Sequence, residues 1–194
     1  MIKSNWDGSK TLSIDGTGSL ASVDCKVAQN LHKFIVDNII TEGAIIDFGA
    51  GQGYFQKYFE ENTNFDVWSI EGYSGLDFKA NKDKWLLSNL GTKLTQEYHK
   101  KFDLVVSFEC IEHIHKTEQE VFWENVFLCS NKALIGIHTE NEEHDAHCFI
   151  RNTDWWVNFF ESKGYKYKIL GHSKDYWPVW PEAQCSLFAY LEVQ

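Results

Sequence analysis

Ile45-Ile46-Asp47-Phe48-Gly49-Ala50-Gly51-Gln52-Gly53-Tyr54 is the stretch that decides the fold of this chain. An apolar run ends at an acid, and glycines then stand at every second position. The run predicts a buried strand, and the glycines predict a tight turn into a helix. Glycine accepts a positive φ and lets a ligand approach the backbone with no Cβ in the way. The first N–H groups of the following helix would point at that ligand. A nucleotide-like cofactor suits such a loop.

Spacing narrows the choice. A dinucleotide fingerprint, G-x-G-x-x-G, would need its third glycine at Tyr54, and no G-x-x-x-x-G-K-[ST] phosphate loop occurs. The pattern Asp47-x-Gly49-x-Gly51-x-Gly53 instead resembles the first motif of the class I S-adenosylmethionine (SAM)-dependent methyltransferases. That resemblance implies that Gly49, Gly51 and Gly53 admit the amino-acid part of S-adenosyl-L-methionine. It also implies that Asp47 helps to hold the cofactor indirectly.

Working outward, helical spacing of Val27, Leu31, Phe34 and Ile35 predicts a leading helix over about 22–40. Residues 1–20, polar and glycine-containing, are expected to form an irregular flap. Strands are predicted at 44–48, 65–70, 85–87, 102–108 and 132–138, with helices after the first, fourth and fifth. A short helix is expected within 74–84. Thr117 with Glu120 has the form of a capping box. Thr153 and Asp154 open a helix carrying Trp156, Phe159 and Phe160, which Gly164 stops. Strands at 165–170 and 186–193 follow without a helix between them, which predicts an antiparallel pair at the sheet edge. The expected fold is α/β: a Rossmann-like, doubly wound, mostly parallel sheet with a C-terminal antiparallel strand pair. One methyltransferase-like domain over 1–194 is expected, and the resemblance covers roughly 44–165.

Ligands of such sheets lie beyond the carboxyl ends of the strands. Glu71, past the second strand, stands where a carboxylate accepts hydrogen bonds from ribose hydroxyls. Asn89 matches the position that contacts adenine in the family, and Trp85 or Leu90 could cover the ring. The segment from Phe102 to Ile114 resembles the family's fourth-strand region with its E-x-x-E-H ending, here Glu109-Cys110-Ile111-Glu112-His113. Glu109 is thereby counted with the cofactor-binding residues. Some relatives with this string, among them small-RNA 2′-O-methyltransferases, hold a divalent cation with it. Candidate ligands are Glu109, Glu112, His113 and His147, with His144 beside them; the other reading is that the string only shapes the loop next to SAM. His113 and His138, with His115 as a competitor, are candidate general bases, because an imidazole takes a hydroxyl proton near neutrality.

The D/N-P-P-Y/F string of DNA amino-methyltransferases is missing, and so is a Pro-Cys nucleophile. The net charge is -10 and the pI about 5.2, with no basic stripe, which argues against a long nucleic-acid partner. Tryptophans at helical spacing, such as Trp155 and Trp156, are expected in the core, whereas Trp177 and Trp180, in no regular element, suggest an aromatic-lined acceptor pocket. Five scattered cysteines, none in C-x-x-C, fit a reduced, cytoplasmic chain. The N-terminal residues lack an apolar signal region, and no stretch is long enough to span a bilayer. The expected activity is SAM-dependent methylation, on an oxygen of a small-molecule, sugar or nucleoside acceptor. The alternatives are a nucleotide- or NAD-binding oxidoreductase and a non-catalytic binding domain of the same fold.

Overall fold

A computed structural model describes residues 25–139, 147–171 and 185–193. Its strands are β1 (Ala44–Phe48), β2 (Asp66–Glu71), β3 (Trp85–Leu87), β4 (Leu104–Phe108), β5 (Lys132–His138), β6 (Lys166–Gly171) and β7 (Cys185–Glu192). Its helices are α1 (Cys25–Asn38), α2 (Tyr54–Asn62), α3 (Gln119–Cys129) and α4 (Thr153–Ser162). They form one sheet in the order β3-β2-β1-β4-β5-β7-β6. Strands β1 to β5 pair in parallel, and β7 runs antiparallel to both β5 and β6. This is the expected Rossmann-like methyltransferase fold with antiparallel C-terminal strands.

Alternation along the strands builds two cores. Ile46 and Phe48 of β1 face Phe122, Trp123 and Val126 of α3 and Trp156 and Phe160 of α4. Ile45 faces the other way, toward Val27, Leu31 and Ile35 of α1 and Phe55 and Phe59 of α2. Successive side chains of a strand point to opposite faces, so a central strand covered by helices on both sides needs apolar residues throughout. Strand β4 is accordingly buried along its whole length.

Three expectations needed revision. No regular helix forms at 74–84, only a turn of 3₁₀ helix at Lys82–Lys84. The capping box does not form: Glu118 is the N-cap residue of α3 without a side-chain bond. The Thr117 hydroxyl is 2.8 Å from His115 Nδ1 instead. The antiparallel C-terminal pair lies at the sheet edge as expected, with β7 against β5 and β6 outermost. Phe102 and Asp103 stand before β4, not in it, although Asp103 is pinned to β1 by Asp103 N–H to Ala44 O and Ala44 N–H to Asp103 Oδ2, both 2.8 Å. The predicted flap and the start of the leading helix lie outside the described residues, as do His144 and Trp177 to Pro181.

Candidate active site

The turn from β1 to α2 lies beyond the carboxyl end of the sheet. Gly49 and Ala50 donate to the Ile70 carbonyl at 2.9 and 3.2 Å, which clips the turn to β2. Gly49, Gly51 and Gly53 all have positive φ (79°, 54° and 79°), the left-handed region where a Cβ is strained. Two of them are also needed for packing. A Cβ on Gly49 would stand 2.3 Å from Cys110 Sγ, and one on Gly53 would stand 2.4 Å from the Phe78 ring. Phe78 in turn stacks on Trp85 with ring centres 4.8 Å apart.

Around this turn sit two buried acids. Glu71, at the end of β2, accepts from Gly51 N–H through Oε2 and from Tyr73 N–H through Oε1, each at 3.0 Å. Burial raises its pKa, and these backbone donors oppose the rise. Asp47, 3% exposed, is pushed up to about 8 by burial first and the neighbouring Glu71 charge second. Asn89 is buried after β3, its Oδ1 taken by Gly91 N–H at 2.8 Å. These residues line one continuous edge, past β1, β2 and β3.

Beyond β4 and β5 a second group converges. Glu109 has a positive φ of 50°, rare outside glycine and costing about 1–3 kcal/mol, a strain typical of functional turns. Glu112 is fully buried in the one-turn 3₁₀ helix Ile111–His113. Its carbonyl accepts from the N–H groups of Cys148 and Phe149, at 2.9 and 3.0 Å, and so draws the 147–150 segment onto the site. One ligand atom each from Glu112, His113 and His147 lies within 4.8 Å of the others. The rings of His113 and His147 are 4.8 Å apart, and those of His138 and His147 are 4.6 Å apart. Glu109 stands aside from that triad, with Oε2 3.6 Å from His138 Nδ1.

Burial and then the Glu109 charge raise the Glu112 pKa well above the carboxylate range; backbone N–H groups of Glu112 and His138 favour its ionised form. Neither Glu112 oxygen has a hydrogen-bond partner of ordinary geometry, and Glu109 Oε1 has none either. Buried carboxylate oxygens in that condition fit a cation: two hard oxygen donors and imidazole nitrogens suit a Mg-, Mn- or Zn-like ion. His115 takes no part, because it faces solvent and closes its own turn with Thr117.

Two residues that brace these loops are missing from the candidates read in the sequence. Gln119, buried at the start of α3, donates its amide to the carbonyls of Ile111 and Ile114 at 2.9 and 2.8 Å. Asn125 holds the loop after β3 through Leu94 N–H, Leu90 O and Thr92 O. Both are polar residues on an otherwise apolar helix face, which was the available signal.

Residues 20–169 match the sequence signature of the methyltransferase domain. The chain belongs to that family. It is a SAM-dependent methyltransferase, which sets aside the oxidoreductase reading. No curated protein matches it in sequence. Solved structures share its fold. The 1,6-didemethyltoxoflavin-N1-methyltransferase of Burkholderia thailandensis, solved with 1,6-didemethyltoxoflavin and S-adenosylhomocysteine, is 11% identical. It superposes with a TM-score of 0.65 over 95% of this chain and 83% of its own. The methyltransferase domain of a bacterial Hen1 gives 0.60 at 14% identity, covering 90% of this chain and 100% of that one. The small RNA methyltransferase HEN1 gives 0.63 at 14% identity, over 86% of this chain but 25% of that larger one. Among the described residues, no helix of the methyltransferase is long and apolar enough to cross a membrane.

Proposed function

We propose that this methyltransferase acts on a hydroxyl oxygen of a small polar acceptor, sugar- or nucleoside-like. The observation that carries the reading is the convergence of Glu112, His113 and His147, with the Glu109–His138 pair beside them. A hydroxyl acceptor needs such a proton acceptor, because its proton must leave as the methyl arrives. The acidic net charge of -10 favours a small acceptor over a long nucleic acid.

SAM supplies an electrophilic methyl group on a sulfonium. Glu71 would accept from the ribose hydroxyls, Asn89 would meet the adenine edge, and the glycine turn would admit the methionine end. Glu109 orients the His138 ring, and His138 takes the acceptor proton, or His113 does so where no cation occupies it. A divalent cation held by Glu112, His113 and His147 would lower the pKa of the hydroxyl. The acceptor enters between the loop after β4 and the segment that follows β5.

The test is a panel of sugars, nucleosides and phenols scored by S-adenosylhomocysteine release, in EDTA and with Mg²⁺ or Mn²⁺ restored. Hydroxyl acceptors should turn over. His138→Ala or His113→Ala should lower kcat by about 10²–10⁴, with SAM affinity near wild type. Full turnover by both variants would remove the histidines from the chemistry. Undiminished activity in EDTA would leave the cluster as a metal-free proton acceptor.

A further inference from the structure

We propose that Arg151 is an anion clasp of the acceptor site, and that the acceptor therefore carries a phosphate or carboxylate besides its reacting hydroxyl. The hydroxyl rests on the reading just given; the anion rests on separate observations. Arg151 is the only arginine in the chain. It follows directly on the segment that Glu112 draws to the site through Cys148 and Phe149. Its guanidinium carbon stands 4.3 Å above the centre of the Phe149 ring and 5.7 Å from that of Trp155. Nη1 donates to the Ile150 carbonyl at 2.7 Å.

These contacts use the face of the guanidinium and one donor. The other edge N–H groups remain as a planar fork, the geometry that takes two oxygens of a carboxylate or phosphate at once. Holding the fork in advance removes part of the ordering cost of binding. Among the described residues, no ion pair forms at Arg151. An arginine serving only to cover apolar surface does so with its methylene stem; here the charged group itself lies over the rings. The Phe149 ring beneath the guanidinium belongs to the residue whose N–H bonds the Glu112 carbonyl at 3.0 Å, which ties the footing of the cation to the acid cluster.

A lone arginine makes the test direct. Its side-chain Nε–H gives a single NMR signal that needs no assignment. Uniformly ¹⁵N-labelled protein saturated with S-adenosylhomocysteine would be titrated with inorganic phosphate, with acetate, and with sodium chloride at matched ionic strength. The expected result is a saturable shift with phosphate or acetate and none with chloride; the stronger of the two identifies the anion. Turnover is then compared for matched polyols, their phosphomonoesters and their carboxylates. The anionic member should be preferred, and Arg151→Met should raise its KM about 10- to 100-fold, with a much smaller change in kcat. Arg151→Lys should recover only part of the loss, since an ammonium lacks the fork. No shift beyond the chloride control, or equal kcat/KM for neutral and anionic members, overturns the proposal. Anion binding at Arg151 with methylation found only on nitrogen would overturn the hydroxyl reading and leave this one standing. Methylated hydroxyls with an unmoved Arg151 signal would do the reverse.

Discussion

Asp47 and Glu71 bury two carboxylates beside a turn whose cofactor carries a positive sulfonium. Burial and the Glu71 charge hold Asp47 protonated up to about pH 8 in the ligand-free protein, whereas an aspartate in the unfolded chain ionises near 4. Between those values the folded state binds the extra proton, so stability falls as pH rises. This contribution is complete below about 4 and gone above about 8. The expected outcome is a melting temperature that declines across that window, with a shallower decline in Asp47→Asn; the same slope in both proteins would contradict it. Glu71→Ala should weaken S-adenosylhomocysteine binding about 10- to 100-fold by calorimetry while the fold is retained. Gly49→Ala should cost about 1–3 kcal/mol from its φ alone, and more from the Cys110 contact. Urea unfolding reads that loss, and Cys110→Gly in the same chain should recover part of it. The motif spelled out Gly49 as room for a ligand. It could not show that Cys110, sixty-one positions on, needs the same space, because that contact exists only once β1 and β4 lie side by side.

Helix α4 shows how much an element's sequence can and cannot say. Period alone grouped Trp156, Phe159 and Phe160 on this helix; Trp156 and Phe160 are fully buried, and Phe159 is half-buried. Their neighbour Trp155 is 36% exposed, stacked on Phe159 at the surface. Trp156→Ala should therefore destabilise by about 3–5 kcal/mol, and Trp155→Ala by about 1 kcal/mol or less, both measured by chemical unfolding. Similar losses for the two would mean that α4 is rotated from the position described. Strand content was legible for the same reason: β5 matches its predicted span, since a continuous buried run has sharp ends. Strand neighbours were not legible. The order β5-β7-β6 depends on which edge the last strand finds, and nothing local in 185–192 encodes that. The capping box at Thr117 failed because a histidine two residues earlier offered the hydroxyl a competing bond.

At the scale of the whole molecule, the sheet order puts β1 between β2 and β4, so both halves of the site open onto one edge. The half past β1, β2 and β3 carries the glycine turn and Glu71; the half past β4 and β5 carries Glu109, Glu112, His113 and His138. The sequence displayed both halves, because strand ends mark themselves with glycines and acids. It left open which of the histidines would meet, since His147 is brought to the cluster by the bonds of Cys148 and Phe149 to the Glu112 carbonyl, which exist only in the fold. The central claim is that the second half exists to take a proton from a hydroxyl. Transfer from SAM labelled with ¹³C in its methyl group, into a small-molecule extract and then into the isolated product, reports the atom that receives the methyl. The account predicts a methoxy carbon in the product spectrum, lost when His138 and His113 are both replaced by alanine. A methyl carbon on nitrogen, formed equally well by that double variant, would contradict it.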